Sequence, residues 1–307
     1  MAGQLGPSGR RPTAARRVLV YGLGTGRGHA TRTGALCLEL AQLGAEVRLL
    51  IGAGTLGIVR ALGVEAAVVC EAGDAPERAW SRALREFEPT DCVVDSFPEG
   101  LYDELRSTER PEARWVALLR CRRDTLSPAF VAGLAGYTEV LDLEPGLGWA
   151  PREARPFGSV VRRLAPGASQ TATDVLLVAT ETRQRPFLEK LWGHLERAGV
   201  RTTCVPAPGV ARAEAALLTR DLYSAKVVIG PAGYNLTYEL SALGVWHLAL
   251  PAARQYDDQE LRAERVAVVA HSPLAVERRV HAWLDQGVSR PPGAVRAMRE
   301  LAQLLLG

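Results

Sequence analysis

Lysine is almost missing from this chain: Lys190 and Lys226 are the only two among 37 basic residues, and arginine supplies the rest. Aspartate and glutamate total 34, which leaves a formal net charge of +3. A nucleic-acid binder gathers its cations into a basic stripe, and this near-balance argues against one. The arginine bias reads instead as a GC-rich coding sequence. Long apolar runs are also lacking. Charges interrupt every stretch before it reaches the roughly 20 apolar residues that span a bilayer, so no transmembrane segment is expected. Paired cysteines are absent too. Cys37, Cys70, Cys92, Cys121 and Cys204 form an odd set with no CxxC, and most lie in apolar segments where a thiol acts as a small hydrophobe. A reducing, cytoplasmic setting is expected. Residues 1–16 have no apolar core of the kind a signal peptide needs and read as a disordered leader.

What is present is an ordinary globular composition, 47% apolar and 23% charged over 307 residues, enough for two domains and their cores. From Arg17 short β-branched runs alternate with segments of helical spacing. Strands are expected at Val18–Tyr21, Val47–Ile51, Ala66–Val69, Cys92–Asp95, Trp115–Leu119 and Val140–Leu143, with helices such as Thr31–Leu43 and Ala79–Phe87 between them. This alternation specifies a parallel sheet covered on both faces. A first Rossmann-like domain therefore occupies 17–145. Proline and glycine break regular structure over 146–170, which reads as the linker. The alternation restarts in 171–307, with strands at Asp174–Ala179, Thr202–Val205, Lys226–Ile229, Val245–Leu250 and Val266–Ala270. Helices there are expected at Gln184–Ala198, Ala213–Tyr223, Tyr234–Leu243 and Asp257–Glu264, followed by two closing ones. The expected fold is α/β, two Rossmann-like domains facing across a cleft, with ligands outside the carboxyl ends of the strands.

The first strand runs into Gly22-Leu23-Gly24-Thr25-Gly26-Arg27-Gly28-His29, and a helix is expected to start near Ala30 or Thr31. Glycines admit a close ligand, and a helix N-terminus offers free N–H groups to an anion. The loop does not fit a dinucleotide fingerprint, because Arg27 stands where GxGxxG needs its last glycine. The second strand ends without a ribose-binding acid, and no lysine follows the loop as in a Walker A motif. His29 then reads either as a helix cap or as a general base, for which imidazole suits neutral pH. Asp95 ends the fourth strand at the same edge. It reads as the orienting acid of that base or as the cap of the next helix.

In the second half, Gly230-Pro231-Ala232-Gly233-Tyr234-Asn235 leads from a strand into a helix, an anion cradle suited to a diphosphate. Glu239, about one and a half turns on, reads as a sugar-hydroxyl ligand or as a surface residue. The loop Pro251–Gln259 enters another helix at the same edge. Asp257 and Asp258 are candidate N-caps, and Gln259 is its best ligand for a polyhydroxylated molecule. Arg120-Cys121-Arg122-Arg123 reads as a solvated loop or as a neighbour of an anionic acceptor.

Gly24–His29 with Arg32 resembles the N-terminal loop of bacterial GT-B glycosyltransferases. Ala232–Leu240, Gly244-Val245 and Asp258-Gln259 resemble their donor-binding region, in the pattern of the peptidoglycan N-acetylglucosaminyltransferase and related proteins with a Gly-Tyr-Asn turn. The resemblance implies a metal-independent, inverting hexosyltransferase that needs no cofactor and takes a UDP-linked sugar as co-substrate. The acceptor would be a small or lipid-linked hydroxyl compound. His29 would be the base with Asp95 behind it. Gly230, Ala232, Gly233, Tyr234, Asn235, Glu239, Asp258 and Gln259 would hold the donor. Gly24, Thr25, Gly26, Arg27, Gly28 and Arg32 would form an acceptor or phosphate loop. The chain departs from the pattern at Thr180-Glu181-Thr182, at Trp246, where proline is common, and in its short length. A nucleotide-sugar hydrolase matching Gly26-Arg27-Gly28-His29-Ala30-Thr31-Arg32, and a non-catalytic binding protein of the same fold, are the alternatives.

Overall fold

The computed structural model describes residues 15–24, 26–71, 73–106, 111–123, 127–164, 173–179, 184–205, 225–269, 272–287 and 290–307. The first unit is a parallel sheet of β1 (Arg17–Tyr21), β2 (Glu46–Gly52), β3 (Ala67–Cys70), β4 (Asp91–Asp95), β5 (Arg114–Leu119), β6 (Glu139–Asp142) and β7 (Arg155–Pro156). Its spatial order is β3-β2-β1-β4-β5-β6-β7. The order reverses between β1 and β4, which are hydrogen-bonded neighbours. Loops leaving such a pair diverge to opposite faces and open a crevice at the carboxyl edge. That crevice is where β1 delivers the glycine loop and β4 delivers Asp95.

Helix α1 (Arg27–Gln42) covers one face of this sheet, followed in sequence by the short α2 (Leu56–Ala61). On the other face α3 (Pro76–Phe87) begins with Pro76 in its first turn, where the missing N–H costs nothing. It buries Trp80 and Phe87 against Tyr21 and Trp115. After β5 comes α4 (Pro128–Leu134), capped by Ser127.

The second unit orders its strands β10-β9-β11-β12-β13 from β9 (Thr173–Val178), β10 (Thr202–Val205), β11 (Ala225–Gly230), β12 (Trp246–Ala249) and β13 (Val268–Val269). These strands too are parallel. The described helices are α5 (Arg185–Arg197), α6 (Tyr234–Leu243), α7 (Gln259–Val266) and α8 (Pro273–Gln286). Trp246, at the start of β12, stacks on Trp283 of α8 with ring centroids 4.5 Å apart, a packing role for the residue that departs from the expected proline. The expected helix Ala213–Tyr223 and the loop Thr180–Arg183 lie outside the described residues.

Three expectations about boundaries change. Arg16, assigned to the leader, already pairs with Asp91 at 3.0 Å. The linker contains β7, which pairs with β6, and β8 (Val160–Val161), which pairs with β14 (Arg296–Ala297). The final helix α9 (Met298–Leu306), assigned to the second unit, returns to the first. There Met298, Leu301, Ala302 and Leu305 join the core that contains Leu36 and Leu40 of α1. The reason is apolar area: one face of α9 is buried only where α1 leaves a complementary stripe. Tyr234 and Tyr238 of α6 enter the same core, so the two units share packing beneath the cleft.

Candidate active site

The carboxyl edges of both sheets open into one cavity of about 920 Å³. Its first wall is the glycine loop. Helix α1 begins at Arg27 with Gly26 as its N-cap, earlier than expected, so His29 lies in the first turn rather than before it. Gly24 makes this possible: a Cβ there would overlap the His29 ring at Cγ and Cδ2. Gly24, Gly26, Arg27 and Gly28 line the cavity. Thr25 lies outside the described residues.

His29 is 4% exposed, with its ring stacked on Phe97. Its Nδ1 lies 2.7 Å from Asp95 Oδ2, and its Nε2 lies 3.1 Å from Arg120 Nη2. Arginine only donates, so Nε2 accepts and the ring proton sits on Nδ1, donated to Asp95. Burial pulls the imidazole down to about 4; Asp95 opposes this, and Arg120 and Arg32 add to it. The ring is therefore neutral at pH 7.

Asp95 is fully buried and stays ionised. Burial pushes its carboxyl up, but the Arg32 guanidinium and His29 reverse this and hold it well below the usual carboxylate range. Arg32 donates to both oxygens, Nε at 2.9 Å and Nη2 at 2.6 Å. Arg32, expected in the acceptor or phosphate loop, lines the cavity with its guanidinium held bidentately by Asp95 and, through Nη1, by Asn235 Oδ1 at 3.2 Å. Ser96 follows at φ 69, a left-handed conformation that costs a non-glycine residue roughly 1–2 kcal/mol. It is held there by Arg122, which donates to its carbonyl, and by Arg120 Nε, which donates to Oγ at 2.9 Å.

The second wall is the turn into α6, with Gly233 as N-cap. Asn235 reaches across the cavity and donates from Nδ2 to Gly28 O at 3.1 Å. The N-termini of α1 and α6 thus face one another. Gly233, Tyr234 and Asn235 line the cavity, but Gly230 and Ala232 do not. Gly230 ends β11, where a Cβ would press on Val178 at 2.9 Å, so its glycine serves sheet packing. Ala232 is fully buried, and its carbonyl accepts from Arg262. Tyr234 turns its ring inward, and its hydroxyl accepts the Val160 N–H at 2.8 Å. Glu239 lines the cavity in a bidentate pair with Arg162, at 2.8 and 3.4 Å.

The third wall is the loop before α7. Asp258 does not line the cavity; its Oδ1 caps α7 by accepting Leu261 N–H at 3.1 Å. Asp257 faces inward instead. It accepts from Arg120 at 2.7 Å and lies 2.9 Å from Arg262 Nη1. Burial raises its carboxyl, and the Arg262 and Arg120 charges bring it down to about 2. Gln259 donates to Asp257 Oδ2 at 3.2 Å and accepts Ala252 N–H at 3.0 Å, at the cavity edge.

Sequence reasoning missed Ser96 and the pair behind the site, Glu144 and Arg262; it weighed Asp257 as an N-cap and Arg120 only as part of its loop. Arg262 is fully buried, with Nε 2.6 Å and Nη2 2.8 Å from the Glu144 oxygens. Of the two readings of Arg120–Arg123, the solvated loop fails for Arg120 and Arg122, which are 8% and 5% exposed, and Arg120 lines the cavity where an acceptor would sit. Arg122 stands over Phe97, Phe130 and Tyr256 at 4.8, 4.8 and 5.4 Å. The available signal was three arginines following a buried strand at the ligand edge.

No protein-family model matches the chain, and no curated protein matches it in sequence. Solved structures do match. The spinosyn rhamnosyltransferase SpnG is similar at a TM-score of 0.64 and 16% identity, over 95% of this chain and 99% of that one. SsfS6, a glycosyltransferase of Streptomyces sp. SF2575 complexed with thymidine diphosphate, matches at 0.61 and 14%, over 95% and 99%. A proposed UDP-N-acetylglucosamine 2-epimerase of Listeria monocytogenes matches at 0.62 and 13%, over 95% of each chain. At such identities the likeness carries the architecture: this chain has the GT-B fold, two Rossmann-like units with one cleft between them.

Proposed function

We propose that this protein is a glycosyltransferase that moves a sugar from a nucleoside-diphosphate sugar to an acceptor hydroxyl, with inversion and without a metal ion. The observation that carries the reading is the neutral His29 imidazole at the start of α1, hydrogen-bonded to the ionised Asp95 at the end of β4 and facing the start of α6 across a cavity of nucleotide-sugar size. A general base needs an unprotonated nitrogen and an orienting acid, and Nε2 and Asp95 supply them. The leaving diphosphate needs positive potential. The two helix N-termini supply it, and Arg27 and Arg254 also line the cavity. Gly233 and the α6 N-terminus are the diphosphate site in this reading, with Glu239 near the ribose and Gln259 near the sugar. The donor is proposed as UDP-linked, and the thymidine diphosphate complex of the SsfS6 neighbour adds TDP-sugars to the candidates.

The test is a thermal-shift panel of UDP- and TDP-sugars, followed by transfer assays with the best donor. A ligand at a hundred times its dissociation constant stabilises by about 2.7 kcal/mol. His29→Ala should abolish transfer and keep the donor-induced shift, whereas Glu239→Ala should weaken the shift first. Chelator should leave the rate unchanged, and NMR of the product should show the inverted anomer. Rapid release of free sugar without acceptor would assign the hydrolase instead, and an epimerised donor would assign neither. Absence of any donor-induced shift at millimolar ligand would remove the donor site.

A further inference from the structure

The nitrogen that a base must use is already occupied. Nε2 of His29 accepts from Arg120 Nη2 at 3.1 Å, while Arg120 Nη1 donates to Asp257 at 2.7 Å and Arg120 Nε to Ser96 Oγ at 2.9 Å. Arg120 is buried, so this fork is fixed from three sides. We propose that Arg120 is a positioning residue for His29: it places the ring proton on Nδ1, shields the Nε2 lone pair until an acceptor hydroxyl replaces it, and ties that state to the second unit through Asp257. The inference rests on the reading of His29 as the base.

A continuous hydrogen-bonded chain runs through the fork. It passes from Asp95 to His29, Arg120, Asp257, Gln259 and the Ala252 N–H. Its first residues belong to the first unit, and its last three to the loop and helix start on the donor side. The charged groups around His29 come from every element packed on it. Asp95 lies at the end of β4, Arg32 on α1, Arg120 after β5, and Asp257 behind Arg120 on the loop before α7. Phe97 covers one face of the ring at 5.2 Å, and Gly24 lies against its edge. Two guanidiniums near one imidazole favour its neutral form.

When an acceptor hydroxyl takes Nε2, Arg120 loses only that bond. Ser96 and Asp257 keep its remaining N–H groups in place, and the released Nη2–H stays beside the reacting oxygen. The hydroxyl proton then passes to Nε2 as the oxygen bonds the anomeric carbon. The bond from that carbon to the diphosphate oxygen breaks, and the electron pair leaves with the nucleoside diphosphate. The imidazolium so formed is compensated by Asp95.

The experiment is nitrogen-15 NMR of the imidazoles in the full chain without ligand, His29 being assigned by its loss in His29→Gln. In the wild type, Nδ1 should carry the proton and Nε2 none from pH 5 to 8. Arg120→Gln should raise the His29 midpoint by about one pH unit or more, and the acid limb of kcat/KM should move with it. Arg120→Lys, which keeps the charge without the fork, should hold the midpoint low but mix the tautomers and lower kcat more than it changes donor KM. A proton on Nε2 in the wild type overturns the proposal even if neither variant folds. So does Arg120→Gln leaving tautomer and midpoint unchanged. Both readouts work without turnover. Transfer retained by His29→Gln would remove the base reading and with it the role of Arg120 in turnover, whereas an unmoved tautomer with inactive His29→Gln would remove only the positioning role and leave the base reading standing.

Discussion

His29 is chemically defined by what surrounds it. An isolated imidazole has a pKa near 6.5 and would be partly charged at neutral pH. Here burial draws it down to about 4, while Asp95 keeps the ring oriented and ready to be compensated once protonated. A base works only when neutral, so the rate falls as pH drops through its pKa. The expected acid limb of kcat/KM in the free enzyme therefore lies near pH 4–5, with most activity kept at pH 5.5. A pH–rate profile checks this, and a limb at 6.5 or above would show that His29 is not held in the buried network. Single residues in the same network also show where type alone misleads. Arg32, placed in the acceptor or phosphate loop, lines the cavity and pairs with Asp95; Asp258, weighed as an N-cap or a ligand, caps its helix, while Asp257 beside it carries the charge that faces Arg120.

At the scale of elements, two helix starts make the site. Both follow a strand through small residues and both begin at glycine caps, Gly26 and Gly233. Spacing made both legible, because glycine after a β-branched run at the ligand edge has few other uses. The start of α1 at Arg27 was not legible, since only the seat of the His29 ring on Gly24 places the helix. That seat predicts the effect of Gly24→Ala. The added methyl pushes the imidazole off its line between Asp95 and Arg120, and a misplacement of about 1 Å can cost about a hundredfold in rate. Kinetics should show kcat falling by that order with donor-induced stabilisation retained. Unchanged kcat would mean the ring has room the structure does not show.

Across the whole molecule, the units are joined by buried charge as well as by apolar packing. Glu144, after β6, accepts from Arg262 of α7 twice, from the Cys121 N–H at 2.6 Å and from Tyr238 of α6 at 2.9 Å. Removing one partner of such a pair strands the other in a dry interior, at a cost of about 3–5 kcal/mol, whereas replacing both by apolar side chains often costs little. Glu144→Ala should accordingly lose stability of that order in urea denaturation, and the double variant Glu144→Leu, Arg262→Met should recover most of it. A single variant within about 1 kcal/mol of wild type would place this joint in solvent. Among the described residues no helix is long and apolar enough to cross a membrane.

The order of strands and helices, the two glycine turns and the candidacy of His29 with Asp95 were determined by the sequence, because each rests on local periodicity or on one residue at a strand end. Tertiary structure alone decided the rest. Residues 144 and 262, or 120 and 257, are far apart in the chain, and no local pattern marks them as partners; they meet because two sheets aim their carboxyl edges at one cleft. The same is true of α9, whose amphipathic pattern demands burial but does not say against which unit. Which carboxylate faces the cavity, which arginine is consumed and which nitrogen of His29 is basic depend on distances of a few ångströms across that cleft.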